Sequence, residues 1–348
     1  MMAFQLVEHG GPEALILRTN LAAPEPGPGE VRIRVAAAGL NNTDIWSREG
    51  AYGTQEDPAS RAGWKRVPLE FPRVQGGDIA GRIDSVGIGI DPSRIGQRVV
   101  VNPVIPGSDA ASDGLRDCRL VGSEVDGGFA EYAVVPSENA VAVDAPVEDT
   151  ALAALPIAYL TAEHMLARVA PSAGETVLVT GASGGVGTAL VQLARARGAS
   201  VVAIAGSGKE EALRDLGATE FVPRDDFERR GTAALPGGGE SVEVVADVVA
   251  GPNLRSLLNA LTYAGRYITA GAIAGPLVEI DLRTVYLKQL TLAGSTLGTP
   301  KDFQRLIEFV KAGKVRPPVA AAYRLEDLPR AQEHFLHKNF VGNIVLQV

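Results

Sequence analysis

Two patterns of apolar residues divide the chain. From the N-terminus to about residue 145 the apolar runs are short: MAFQLVEHG, EVRIRVAAAG, GDIAGRIDSVG, QRVVVNPV and FAEYAVVP, joined by pieces such as PEPGPGE and GIDPSRIG. Short alternating runs separated by Gly, Pro and Asp predict a β-rich domain. From Glu175 strand and helix periods alternate instead. TVLVTG precedes a helix over Val186 to Arg197, SVVAIAG a helix over Lys209 to Leu216, EFVP and VEVVAD a helix over Leu254 to Leu261, and RYITAG follows. That alternation predicts an α/β fold with a doubly wound parallel sheet. Helices over Asp302 to Ala312 and Leu325 to Phe335 and a closing strand NIVLQV complete the chain, with no internal repeat.

The stretch TVLVTGASGGVGTALVQLARARGASVVAIAGS has the order strand, glycine-rich turn, helix, strand that a dinucleotide fold requires. Gly184 lets backbone approach a pyrophosphate, Gly187 lets helix and strand pack closely, and the helix N-terminus at Val186, just after Gly185, turns N–H groups toward an anion. Ala182 stands at the first glycine position of G-x-G-x-x-G, with Ser183 between it and Gly184. The flanking strand and helix, more than the glycines, carry the expectation. The second strand ends at Ala205-Gly206-Ser207, where an NAD-binding chain would present an acid to the ribose hydroxyls. Ser207 and Lys209, with Arg224 after the third strand, suit a 2′-phosphate, so NADPH is the expected cofactor.

Composition narrows the classes. A length of 348 residues suggests two domains, and 46% hydrophobic with 21% charged residues fits a globular protein. A net charge of -8 argues against nucleic acid as a partner. No basic segment leads into an apolar core at the start, and the most apolar stretch, Ala151 to Ala170, is broken by Pro156, Glu163 and Arg168. A cytoplasmic protein that does not engage membranes is expected. Cys118, the sole cysteine, makes neither an internal disulfide nor a thiolate cage. The sequon Asn41-Asn42-Thr43 therefore has no secretory context.

AAGLNNTD, GGDIAGRIDSVG, DGGFAEYAVVP, ALPIAYLTAEHML, GASGGVG, LKQLTLAGSTLGT and VGNIVL together resemble the medium-chain dehydrogenase/reductase superfamily, in the family's order and over essentially the whole chain. The resemblance implies a GroES-like β-rich catalytic domain, residues 1–146 and 291–348, and a Rossmann NADPH-binding domain, residues 147–290, with the nicotinamide in the cleft between them. It also implies nicotinamide contacts at Thr161, which heads a helix, near Val249 and at the backbone of Ala270, Gly271 and Ala272. A homodimer paired through the Rossmann sheet edge near LTLAGS is a further implication.

The family's zinc alcohol dehydrogenases place a Cys where Asn41 stands, a His at Gly77 and a Cys or acid near Ile157. None of these three can supply the needed donor, so no metal is expected. The structural zinc lobe needs four cysteines, and only Cys118 falls where one would be. What remains resembles the zinc-independent, quinone oxidoreductase-like and enone reductase branch, whose motif A-x-G-x-N-x-x-D…R-x-G-x-Y is filled by Asn41, Asp44, Arg48, Gly50 and Tyr52. An insertion, GTQEDPASRAGWKRVPLEF, departs from that branch; Trp64 is read as part of a lid or substrate wall.

Without zinc to stabilise an alkoxide, simple alcohols are poor substrates. A quinone or an α,β-unsaturated carbonyl compound accepts hydride and sends charge to its oxygen, where hydrogen-bond donors suffice. The expected donors are the Asn41 amide and the Tyr52 hydroxyl, with backbone N–H groups at Thr296 and Leu297 in reserve and Thr43 at the family's proton-relay position. Tyr52 and bulk water both stand as proton sources. Asp44 is read as a turn anchor, His164 as a helix-face residue, and His334 and His337 as solvated. Two alternatives stay open: an enoyl-thioester reductase, for which Arg61, Lys65 and Arg66 would meet a phosphopantetheine or CoA, and a non-catalytic NADPH-binding regulatory protein.

Overall fold

The computed structural model describes residues 1–52, 69–109 and 114–348. Along the chain run β1 (Ala3–Leu6), β2 (Leu15–Arg18), β3 (Glu30–Gly39), α1 (Asn42–Arg48), β4 (Asp78–Val86), β5 (Arg98–Val101), β6 (Val104–Ile105), β7 (Arg119–Leu120), β8 (Tyr132–Pro136), β9 (Ala140–Ala142), α2 (Asp149–Ala153) and α3 (Pro156–Val169). There follow β10 (Thr176–Val179), α4 (Gly185–Ala196), β11 (Ser200–Ala205), α5 (Glu210–Asp215), β12 (Glu220–Pro223), α6 (Arg224–Arg230), β13 (Val242–Asp247), α7 (Leu254–Ala260) and β14 (Leu261–Thr269). Last come α8 (Leu282–Leu287), β15 (Thr291–Gly294), α9 (Pro300–Lys311), β16 (Val319–Arg324), α10 (Leu328–His337) and β17 (Asn343–Gln347). Among the described residues, no helix is long and apolar enough to cross a membrane.

The first compact unit holds Met1–Ile157, Pro317–Asn339 and Asn343–Val348. Its main sheet runs β16-β17-β3-β4-β5-β9, with β8 also paired to β3. In β3, Val31, Ile33, Val35 and Ala37 point into the core while Arg34 faces out, the two-residue period of a half-buried strand. β3 ends at Gly39, opposite Asp78 in the register. A Cβ on Gly39 would lie 2.3 Å from the Ala153 carbonyl oxygen, so only glycine lets α2 close over this strand end.

The second unit holds Ala158–Arg316 and Phe340–Gly342. Its six-stranded sheet runs β12-β11-β10-β13-β14-β15, every neighbouring pair parallel. That is the doubly wound order, with the chain reversing direction across the sheet between β10 and β13. One core cluster sets Leu178, Val202 and Val245 of the sheet with Phe227 of α6 and Leu257 of α7. The unit ends beyond the expected boundary at residue 291. β15 is the sheet's sixth strand, paired to β14, and α9 clusters with the same unit, burying Phe303, Leu306, Ile307 and Val310 at helical spacing. The other limit falls after Ile157 rather than at 146.

Two local expectations change. GLNNTDIW is the entry to a seven-residue helix, α1, rather than a turn. Thr161 sits inside α3, which starts at Pro156; proline at a helix start leaves one fewer N–H to satisfy. Arg224 follows β12 directly, as expected, and opens α6, whose first turn carries Asp225 and Asp226.

A buried charge cluster ties three helices of the second unit. Glu163, fully buried on α3, accepts from the Arg197 guanidinium at 2.6 and 2.7 Å, and Arg305 of α9 approaches at 3.2 Å. Next to it His164 bonds Asp302 at 2.8 Å, and Asp302 accepts the Thr299 N–H at 3.0 Å in the capping box of α9. Removing the Glu163 charge leaves the largely buried Arg197 guanidinium without its carboxylate, while Arg305 keeps Asp302. Glu163→Gln is therefore expected to lower unfolding free energy by about 3 kcal/mol, read by urea titration.

Candidate functional site

The phosphate loop leaves β10 at its carboxyl end. Gly181 takes φ +56°, a left-handed conformation that glycine holds without strain, and a Cβ on Gly187 would lie 2.1 Å from the Gly181 carbonyl oxygen. Gly187 is thus required for α4 to pack against the loop. A Cβ on Gly184 would meet only the Gly181 carbonyl, at 3.6 Å, leaving room beside the N-cap of α4. Ala182, fully buried, donates its N–H to the Ile204 carbonyl at 3.0 Å, and the Ser183 carbonyl accepts from the Gly342 N–H at 2.9 Å. An anion at Gly184 to Gly187 would face the first N–H groups of a twelve-residue helix.

Beside this loop stands a pair of cations. The Lys209 ammonium donates to the Ser183 hydroxyl at 3.0 Å, linking the end of β11 to the loop. Burial, then the nearby Arg224 guanidinium, pulls the Lys209 ammonium below the usual lysine range. Arg224 is exposed, 3.5 Å from Asp225 and 3.8 Å from Glu228, and Ser207 is exposed in the turn after β11. These residues follow the carboxyl ends of β10, β11 and β12, so the expected phosphate-binding set is gathered along one edge of one sheet. Val249, Ala270, Gly271 and Ala272 follow β13 and β14, and Thr296 and Leu297 follow β15. Leu297 takes φ +48°. Thr161 lies on α3, mostly buried.

In the first unit, Asn41 caps α1. Asp44 accepts the Asn41 backbone N–H at 2.7 Å, the anchoring role expected of it, and Gln75 donates its amide to the Asp44 carbonyl at 2.9 Å. The Asn41 side-chain amide donates to Asp78 at 2.9 Å, and the other Asp78 oxygen accepts the Ile157 N–H at 2.7 Å. One N–H of that amide is thereby committed, leaving a second. Asp78, which ends the GGD run, was not singled out in the sequence; a lone acid at the head of an apolar strand was the available signal.

Both carboxyls are deeply buried, Asp44 at 3% and Asp78 at 0% exposure. Burial pushes Asp44 up to about 7, against the pull of the Asn41 and Gly76 N–H groups. Burial also pushes Asp78 up to about 8, opposed by the Asn41 amide and the Ile157 N–H and reinforced by Asp44 nearby. Gly50, at φ +69°, turns the chain out of α1 toward Tyr52. Tyr52 hydrogen-bonds Thr43 and packs its ring 6.0 Å from that of Trp46. Burial raises its phenol pKa, so the hydroxyl stays protonated at neutral pH. The structure thus brings Asn41, Thr43 and Tyr52 to one short helix and its exit. Arg61, Trp64, Lys65 and Arg66 lie outside the described residues.

A Cβ on Gly77 would fall 2.8 Å from Ile157 Cδ1 and 2.9 Å from the Val121 carbonyl oxygen, so that position has no space for a ligating side chain. Among the described residues, no group of three or more His, Cys, Asp or Glu is arranged to hold a metal. Cys118 is buried. His334 is bonded to the Tyr323 hydroxyl at 2.9 Å.

Two family profiles match, the alcohol dehydrogenase GroES-like domain over residues 27–145 and the zinc-binding dehydrogenase over residues 185–312. Rattus norvegicus quinone oxidoreductase is 32% identical over 99% of this chain and 97% of its own. Acryloyl-coenzyme A reductase of Metallosphaera sedula is 29% identical over 93% of each. A crystal structure of a candidate alcohol dehydrogenase from Sinorhizobium meliloti 1021 is 50% identical, with a TM-score of 0.92, covering 100% of this chain and 96% of that one. The chain belongs to the medium-chain dehydrogenase/reductase superfamily, in its quinone oxidoreductase-like branch. It is accordingly an oxidoreductase with a nicotinamide cofactor, acting on a small molecule.

The two buried carboxyls give a pH signature. Their folded pKa values lie above the ordinary Asp value, so the folded state binds more protons, and their contribution to stability falls as pH rises from about 4 to about 8. Asp78→Asn cannot ionise. The Tm advantage of wild type over Asp78→Asn should shrink from pH 5 to pH 8.5 in thermal melts, whereas a constant difference would contradict the buried-acid assignment.

Proposed function

We propose that this oxidoreductase uses NADPH, without a catalytic zinc, to transfer hydride to a quinone or an α,β-unsaturated carbonyl compound. The observation that carries the reading is the Asn41 side-chain amide, hydrogen-bonded to buried Asp78, whose neighbour Gly77 has no room for a side chain. Bound NADPH supplies the hydride. The second N–H of the Asn41 amide is the donor for the substrate oxygen as negative charge gathers there. Tyr52, bonded to Thr43, gives its hydroxyl proton to the enolate that hydride addition leaves, and its phenolate is reprotonated from solvent. Backbone N–H groups at Thr296 and Leu297 are further donors.

Gly184 to Gly187 would receive the pyrophosphate, and Lys209, Ser183 and Arg224 the 2′-phosphate, with Ser207 beside them. Thr161, Val249 and Ala270 to Ala272 are proposed for the nicotinamide half. A second reading, reduction of an enoyl thioester, draws support from the acryloyl-coenzyme A reductase relative. A homodimer is also proposed. β15 lies at the end of its sheet, and Leu292 on it and Leu282, Tyr286 and Leu287 on the preceding α8 are exposed apolar residues of the kind that mark interfaces.

NADPH oxidation measured with a quinone, an enone and a crotonyl thioester separates the readings. Turnover is expected with a quinone or enone; turnover confined to the thioester favours the second reading, and NADPH binding with no turnover on any of them points to a non-catalytic role. Asn41→Ala should lower kcat about 100-fold with little change in the cofactor KM, the cost of removing one oxyanion donor. Lys209→Ala should raise KM for NADPH roughly tenfold and leave that for NADH nearly unchanged, since a single charge-assisted hydrogen bond is worth about 1.5–3 kcal/mol. Equal effects on both cofactors would contradict the 2′-phosphate assignment.

A further inference from the structure

The carboxyl end of β13 carries an acid that neither the hydride chemistry nor the phosphate site uses. Asp247 is fully buried. One of its oxygens accepts the Val249 N–H at 2.8 Å, the Ala250 N–H at 3.0 Å and the Thr180 hydroxyl; the other accepts the Tyr267 hydroxyl at 2.7 Å. Thr180 in turn accepts the Val248 N–H at 3.1 Å. A single side chain thus binds the end of β10, the turn after β13 and the strand β14. Such a buried carboxyl group is tolerated because each oxygen accepts at least one hydrogen bond.

The turn it holds is strained. Ala250 sits at φ +55°, ψ -142°, a region open to glycine and costly for any residue with a Cβ, and Gly251 follows at φ +73°. The Asp247 carboxylate, by accepting two successive N–H groups, holds the alanine there. The turn is also wedged between its neighbours. A Cβ on Gly181 would lie 3.0 Å from Val249 and 3.1 Å from Val248 side-chain carbons, and a Cβ on Gly271 would lie 2.9 Å from the Val248 carbonyl oxygen. This is the place where the doubly wound sheet reverses, between β10 and β13, and the carboxyl-end crevice of such a reversal is where ligands bind.

We propose that Asp247 is a positioning residue for the dinucleotide, holding the strained turn 248–250 in the shape that faces the cofactor beside the phosphate loop. The proposal rests on the cofactor reading above. Its role is pre-organisation: the turn is fixed before the ligand arrives, so no ordering cost is met on binding. An acid that served packing alone would affect stability and leave affinity unchanged.

Cofactor fluorescence titration and thermal melts on Asp247→Ala, Asp247→Asn, Ala250→Gly and the double variant Asp247→Ala/Ala250→Gly separate the two. Asp247→Ala should weaken NADPH roughly tenfold, and Asp247→Asn, which keeps an oxygen for the two N–H groups, no more than about threefold. Ala250→Gly should raise Tm by about 2 °C through relief of strain, weaken NADPH about threefold, and lose its Tm gain when Asp247 is already alanine. Unchanged NADPH affinity in Asp247→Ala, or a Tm gain that persists in the double variant, overturns the proposal while leaving the cofactor reading intact. Should Asp247→Ala not fold, unchanged affinity in Ala250→Gly has the same force. A wild type that binds neither NADPH nor NADH overturns the cofactor reading and this proposal with it.

Discussion

The burial of Asp78 is the constraint on which the first unit's candidate site depends. A carboxyl with no exposure must have both oxygens engaged, and here the Asn41 amide and the Ile157 N–H do so. Satisfying it brings together the start of β4, the entry to α1 and the entry to α3. Asp44, one turn into α1, closes the same knot by accepting the Asn41 N–H. Chemistry and architecture therefore share residues: the amide proposed to meet the substrate is aimed by the acid it partners. Gly39 and Gly77 contribute by absence, since a Cβ on either would strike Ala153 or Ile157 and push the elements apart.

The second unit solves a different problem with the same means. All six strands of its sheet end on one edge, and unsatisfied backbone at that edge has to be fixed before a ligand arrives. At the phosphate loop, glycines let α4 approach, and the Lys209 ammonium ties the neighbouring strand end to Ser183. At the next crossing Asp247 does this with a buried carboxylate and three elements. In the same unit, Glu163 and Asp302 gather Arg197, Arg305 and His164, so α3, α4 and α9 are held by charge as well as by packing.

Most of the Rossmann half was legible because its buried strands and amphipathic helices carry strong periods; α4, α7 and α9 fall within two residues of the ends read from sequence. Short elements escaped. α1 has seven residues and no clear helical stripe, and its only signal was Asn41 followed three residues later by Asp44, a capping pattern that also fits a turn. The place of β15 at the edge of the parallel sheet was implied by the family resemblance alone, since no local pattern announces its pairing with β14. The glycine-rich turn between β10 and α4 was readable since glycines mark close approach. Asp78 and Asp247 were not, because a single acid at a strand end looks the same in sequence whether it is solvated or serves as the anchor of a knot.

The central claim is that hydride chemistry here proceeds with an amide and a phenol in place of a metal. Its most direct measurement is the zinc content of the purified protein, taken alongside its turnover of NADPH with a quinone before and after chelation and after addition of one equivalent of zinc. The account predicts full turnover at substoichiometric zinc, unchanged by chelator or added metal. Turnover that is lost on chelation and restored by stoichiometric zinc would contradict it.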